Sequence, residues 1–205
     1  MLGPKEKRER ALGIRLGLKG ERSMSPKSAM LRKPYKPGVH GPRGRQRALS
    51  EFGLQIREKS KFKLAYGVDD RHLRRLFKLA QAARGALGAK MVELLERRLD
   101  NAVYRLGITP TRLASRQMVL HGHIAVNGRK VVSPGYILKV GDLVTVREGH
   151  ALKGHIAKQK EFLKKYDAPA WLRLDAEKLE GEMLALPQNV ELPFEINLLV
   201  ESFSK

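Results

Sequence analysis

Arg112, Ser115, Arg116 and Gln117 crowd the start of one short amphipathic segment in the middle of the chain. They bring forked guanidinium groups, a hydroxyl and an amide to a single helix end. Backbone N–H groups and the helix dipole already favour anions at that end. Arginine grips phosphate through two parallel N–H donors, and its plane also stacks on bases. Asn127-Gly128 follows as the strongest short hairpin signal in the chain, because a type I′ turn needs positive φ at both central residues. Lys130 stands just past that tip, and His121 and His123 just before the strand that leads to it. These residue types fit recognition of a structured polyanion, with Asn127, Lys130, His121 and His123 as further contacts near phosphate.

Covalent chemistry has no comparable constellation. Gly13–Gly20 has the wrong spacing for a phosphate-binding Gly-x-x-x-x-Gly-Lys-Ser/Thr loop and lacks the hydroxyl that would hold magnesium. No Gly-x-Gly-x-x-Gly or Gly-x-Ser-x-Gly occurs, and the chain has no cysteine. Thiol nucleophiles, disulfides and thiolate metal sites are therefore excluded. His121 and His123 have no acid or cysteine beside them to complete a metal site. Asp69-Asp70 reads as a helix cap, and Trp171 as a core anchor. No enzyme activity, cofactor, metal or small-molecule substrate is expected.

The charge agrees. The 205 residues carry 41 Lys and Arg against 21 Asp and Glu, net +20, with a pI near 10.4. Residues 1–90 hold 24 of the bases and only 7 of the acids, whereas residues 151–205 are close to neutral. A field of that sign and extent draws in polyanions. Within the basic half, Arg43, Arg45, Arg47, Lys59, Lys61, Lys63, Arg71, Arg74 and Arg75 are the candidate phosphate contacts. No apolar run approaches the ~18 residues of a membrane span, and the N-terminus is charged from Lys5 on without a signal-peptide core. The expectation is a soluble cytoplasmic protein with no membrane partner.

Several elements must position these groups. Residues 1–47 are rich in Gly, Pro and bases, and Pro and Gly break helix repeatedly over 33–45; this arm is expected to order only against a partner. Ser50 caps a helix to about Lys63, with Phe52, Ile56 and Phe62 as apolar contacts. Asp69 or Asp70 caps another, with Leu73, Leu76, Phe77 and Ala80 as one stripe. A third helix starts near Ala89 and runs on through Leu94, Leu95 and Leu99. Arg97-Arg98 open the helix that Gly107 stops. Thr109, with Pro110 next, caps the helix that carries Arg112. His123–Val126 alternates like a half-buried strand. Residues 150–167 read as a basic helix, 170–175 as a strand, and Asn197–Phe203 as a terminal strand or extended anchor.

Residues 97–146, RRLDNAVYRLG through VNG to the turn Val140-Gly141-Asp142, closely resemble the small RNA-binding module first recognised in ribosomal small-subunit protein four. Leu2-Gly3-Pro4, Pro37-Gly38-Val39-His40-Gly41, Gln55–Lys59, Tyr66-Gly67-Val68, LLERRLDNAVYRLG and Val200–Lys205 extend the likeness to the whole chain, which resembles the bacterial small-subunit ribosomal protein four family in a cysteine-free form. The resemblance implies an α+β protein: a helical domain with the inserted module, two helices on a short antiparallel sheet, and a basic extended N-terminal arm. The implied divisions are 1–47 (arm), 48–93 (helical domain, completed by 180–205), 94–150 (module), 151–179 (basic helix and connecting strand) and 180–205 (a segment packing on the helical domain).

The family further implies a cytoplasmic structural constituent of the small subunit. It would bind 16S-type rRNA first, nucleate the subunit body and influence decoding accuracy. Neighbouring ribosomal proteins, protein five especially, are the implied protein partners. The acidic, apolar tail offers Glu195, Glu201 and Phe203 for that interface. Some relatives hold a four-cysteine zinc site near the N-terminus. Glu6, Glu9, Ser23 and Ser28 occupy those places here and make a poor zinc set, so the arm is expected to be held by RNA. An RNA-modifying enzyme using the same module would need a catalytic domain larger than residues 151–205. A general basic RNA chaperone would not need a structured module with an Asn-Gly hairpin.

Overall fold

A computed structural model describes residues 4–43, 48–147, 161–163, 165–188 and 190–204. The chain divides into two units, Met1–Met91 with Glu191–Lys205, and Val92–Val190.

In the first unit α1 (Lys5–Leu12), α2 (Glu21–Met24) and α3 (Ala29–Arg32) precede two longer helices. Ser50 caps α4 (Glu51–Tyr66), its hydroxyl accepting from the Gly53 N–H at 3.2 Å. Gly67, at φ 63°, ends it in the left-handed conformation that glycine adopts without strain. Asp69 caps α5 (Asp70–Ala82), where Oδ1 accepts from the His72 N–H at 2.8 Å. Leu73, Leu76 and Ala80 of α5 are buried as one stripe, with Phe77 half-buried beside them. On α4 only Phe62 of the three expected apolar contacts is inside; Phe52 and Ile56 are 65% and 47% exposed. The inward face near the start of α4 is polar instead, with Gln55 and Glu58 buried, because it meets the polar groups of the C-terminal segment.

That segment is a helix, not the expected strand. α9 (Ile196–Ser204) places Ile196, Leu199, Val200 and Phe203 at helical spacing, and Leu199 is fully buried. Gln55 Nε2 donates to Glu201 Oε2 at 3.1 Å, and the Glu195 N–H donates to Glu58 Oε2 at 3.3 Å. The Phe194 ring packs 4.8 Å from Phe62.

The chain passes into the second unit within α6 (Leu87–Glu96). The expected continuous helix breaks at Arg97-Arg98, since these residues pair with an extended segment. The Leu138 N–H donates to the Arg97 carbonyl at 2.9 Å and the Leu99 N–H to the Tyr136 carbonyl at 2.8 Å. α7 (Leu99–Arg105) then starts with Arg98 extended at its N-cap. α8 (Arg112–Leu120) is capped by Thr111, two residues later than expected. Its hydroxyl accepts from the Ala114 N–H at 3.1 Å, while the Thr109 hydroxyl is drawn inside to Ser115 and to the Thr111 carbonyl.

Beneath α7 and α8, β1 (Ile124–Val126), β2 (Arg129–Lys130), β3 (Leu143–Val146), β4 (Leu172–Asp175) and β5 (Glu180–Met183) form one antiparallel sheet among the described residues, in the order β2-β1-β3-β5-β4. β1 is buried throughout, not alternating, because Ala125 is small and lies between β2 and β3. Asn127 (φ 50°) and Gly128 (φ 76°) make the expected turn. Leu99, Val103, Leu106, Val119, Ile124, Leu138, Val144, Trp171 and Met183 build the core, so Trp171 is the anchor it was expected to be. A Cβ on Gly181 would stand 2.3 Å from Leu106 Cδ1, which is why the helix can press on β5 there. Residues 180–183 thus belong to the sheet, and only the segment from Glu191 lies in the first unit. The basic helix expected over 150–167 lies mostly outside the described residues; 161–163 are helical.

Candidate nucleic-acid interface

Thr111 fixes where α8 begins, and that decides which side chains stand at its N-terminus. Arg112 is the first helical residue and Arg116 lies one turn later on the same face. Arg112 Nε donates to Asn101 Oδ1 at 2.7 Å, and its guanidinium lies 4.5 Å over the Tyr104 ring. Arg116 Nη1 is 3.5 Å from Asp100 Oδ2, with 34% of its side chain exposed. Gln117 is exposed on the neighbouring face. Ser115 differs from expectation. It is fully buried, and its hydroxyl is bonded to Thr109 Oγ1 and, at 3.4 Å, to the Thr111 carbonyl. Its role is to close the first turn of α8 from inside, with no face left for a ligand.

Around Gly122 the module gathers a second group of bases. The His121 and His123 rings are 6.1 Å apart, with His121 exposed and His123 half-buried. The Lys130 side chain crosses so close to Gly122 that a Cβ there would stand 2.2 Å from its Cε. Arg147, which the sequence did not single out, belongs here too. Its N–H donates to the His123 carbonyl at 2.8 Å, and Nη1 donates to the Gly122 carbonyl at 3.4 Å. The usable signal was register, since β3 runs antiparallel to β1 and carries Arg147 back beside His123. Asn127 also departs from expectation, because Asp142 and Leu143 engage both ends of its amide. The exposed turn backbone remains, but the side chain is structural.

In the first unit the lysines of α4 are committed within the protein. Lys59 Nζ lies 3.7 Å from Asp70 Oδ1 and 4.2 Å over the Phe203 ring. Lys63 Nζ is 3.0 Å from the same carboxylate, and Lys61 pairs with Glu58. The hydrogen bond from Lys63 holds the Asp70 carboxyl below its ordinary range. The His72 backbone N–H does the same for Asp69, helped by the His72 ring. Arg71, Arg74 and Arg75 are exposed on α5, and Arg43 is exposed before it. Arg45 and Arg47 lie outside the described residues. Of the tail residues, Glu195 and Glu201 are exposed. Phe203 is half-buried, with its ring 5.3 Å from Phe77.

The N-terminal stretch makes contacts of its own. Glu9 is 1% exposed, and its Oε1 accepts from the Leu16 and Leu18 N–H groups at 2.9 and 3.3 Å. Buried Ser23 accepts from the Lys19 N–H at 3.2 Å, and Glu6 pairs with Arg22 at 3.4 Å and Lys19 at 3.9 Å. Ser28 is buried too. A carboxylate already spent on two backbone donors and two neutral hydroxyls do not fit a zinc ion. Carboxylate-to-amide bonds close this loop instead.

The family pattern described as Ribosomal protein S4/S9 N-terminal domain matches residues 1–96, and the S4 domain matches residues 97–144. Proteins named small ribosomal subunit protein uS4 are similar over nearly their whole length. That of Caldicellulosiruptor bescii is 43% identical over 206 residues, covering 100% of this chain and 98% of its own. That of Acetivibrio thermocellus is 42% identical, covering 94% and 93%. That of Roseiflexus castenholzii is 43% identical, covering 100% and 98%.

Proposed function

Since the chain belongs to the small ribosomal subunit protein uS4 family, we propose that it binds 16S-type rRNA through the N-terminal end of α8 and the exposed arginines of α5. Membership makes the protein a structural constituent of the small subunit of the cytoplasmic ribosome, and not an enzyme. The observation that carries the reading is the placement of Arg112 and Arg116 on one face of the first turns of α8, where helix dipole and guanidinium groups act on the same anion. Lys130, His121, His123 and Arg147 add a second basic contact around Gly122. Early binding by this surface nucleates the subunit body.

The acidic tail serves a protein partner. Glu195 and Glu201 would be repelled by phosphate, and half-buried Phe203 prefers a dry surface. Protein five is the proposed neighbour, and this contact is the route by which the chain influences decoding accuracy. Titration of the full chain against a 16S-type rRNA transcript, followed by crosslinking of assembled subunits, tests both parts. Binding that Arg112→Ala and Arg116→Ala leave intact would reject the RNA surface. A tail crosslinked to rRNA alone would reject the protein contact.

A further inference from the structure

Asp100 and Asn101 are consecutive on α7, 3% and 2% exposed, and both polar. Each reaches across to one arginine of α8. Buried polar residues in such positions need a full set of partners, and here the partners form a directed chain. Arg105 grips Glu96 with Nε on Oε2 at 2.8 Å and Nη2 on Oε1 at 3.0 Å, so the fully buried Glu96 carboxylate cannot turn. Asn101 Nδ2 donates to that Oε2 at 2.9 Å and to the Glu96 carbonyl at 3.0 Å. A carboxylate and a carbonyl only accept, so the amide must turn its NH2 toward Glu96 and its oxygen the other way. The oxygen meets Arg112 Nε at 2.7 Å. Arginine only donates, so the match is enforced at both ends.

We infer that Asn101, oriented by Glu96, is the positioning residue that sets Arg112 for RNA recognition. The inference rests on the proposed reading of α8 as an rRNA contact. One nitrogen of the guanidinium is pinned to Asn101 and its central carbon lies 4.5 Å over the Tyr104 ring. The arm therefore meets RNA in one orientation instead of being ordered on binding. The choice of an amide matters as well. Arg105 balances the charge of Glu96, and the atom that Asn101 turns to Arg112 is a neutral oxygen. Asp100 follows a parallel plan. Arg98 occupies it with Nε at 3.1 Å and Nη2 at 2.7 Å, so its charge is largely answered before Arg116 approaches.

A double-mutant cycle tests the inference, using the full chain and a 16S-type rRNA transcript. Arg112→Ala and Asn101→Ala are each expected to weaken binding about tenfold, or about 1.4 kcal/mol. The double variant is expected to bind no more weakly than Arg112→Ala, since there is then no guanidinium left to position. Losses that multiply in the double variant would overturn the inference, because Asn101 would then act only through the general fold. Wild-type binding by Asn101→Ala would overturn it too. Should that variant fail to fold by circular dichroism, Asn101→Ser, which stays polar but is too short to bridge Glu96 and Arg112, replaces it in the same cycle. Wild-type affinity in Arg112→Ala would reject the RNA reading of this site, and the inference with it.

Discussion

Asn127 and Asp142 lock the hairpin of the second unit to the turn that enters β3. Asn127 Nδ2 donates to Asp142 Oδ1 at 2.9 Å, while Asn127 Oδ1 accepts from the Leu143 N–H at 2.9 Å. Asp142 Oδ2 accepts in turn from the Lys139 N–H at 2.8 Å. Asn127 also supplies the φ of 50° that its turn demands. Asn127→Ala removes both amide bonds and leaves a Cβ in left-handed backbone. A loss of about 2–3 kcal/mol in urea unfolding is expected, with Asn127→Gly recovering part of it. Equal stability of all three forms would show that the amide bonds contribute nothing.

The basic first half makes rRNA binding strongly dependent on salt. Net charge over residues 1–90 is +17. Each phosphate neutralised adds close to 0.9 to the slope of log K against log salt on duplex, and about 0.7 on single strands. A slope of several units is expected in filter-binding titrations between low and moderate salt, and a flat response would contradict it.

Arg116→Glu is expected to weaken rRNA binding far more than Lys178→Glu. Arg116 stands in the first turns of α8, whereas Lys178 lies on the exposed β4–β5 turn. Loss of a charge-assisted contact costs about 1.5–3 kcal/mol, and charge reversal adds repulsion. Equal losses would mean that only overall charge matters.

Acid should loosen the first unit through Asp69 and Asp70, whose carboxyls are held below their ordinary value of 3.8 by the His72 N–H and by Lys63. Groups with depressed native values contribute stability that is fully present above the unfolded value and lost as pH falls through the native one. Stability measured by denaturant should therefore decline below about pH 4, and less steeply in Asp70→Asn. Asp69→Ala removes the α5 cap and is expected to cost about 1 kcal/mol at neutral pH. A decline of the same steepness in Asp70→Asn would remove that residue from the account.

Glu201→Lys breaks the bond to Gln55 on the exposed side of α9. Stop-codon readthrough is expected to rise, while rRNA binding by the isolated protein changes little. Normal readthrough together with impaired rRNA binding would make the tail an RNA element.

Local chemistry was legible where one residue type has few alternatives. Ser50 as a cap and the Asn127-Gly128 turn follow from backbone needs that few residue types meet, Asp69 was one of two adjacent cap candidates, and the Leu73, Leu76, Ala80 stripe follows from helical spacing. What escaped depends on partners far away in the chain. Lys59 and Lys63 read as free phosphate contacts until α5 brings Asp70 to them, and Ser115 reads as a surface donor until Thr109 takes its hydroxyl inside. Residues 197–203 read as strand because a short apolar run with a β-branched residue suits either geometry. Packing on α4 decided for helix.

The first unit is interrupted in sequence: Phe62 and Gln55 are covered by a segment that begins only at Glu191. A growing chain emerges from its N-terminus, so about a hundred residues must be made between the surface and its lid. The second unit, continuous in sequence, can close first. A chain cut short before Glu191 would carry a finished second unit and, in the first, an uncovered aromatic and amide surface. The first unit therefore cannot bury Phe62 and Gln55 fully until the segment from Glu191 is present.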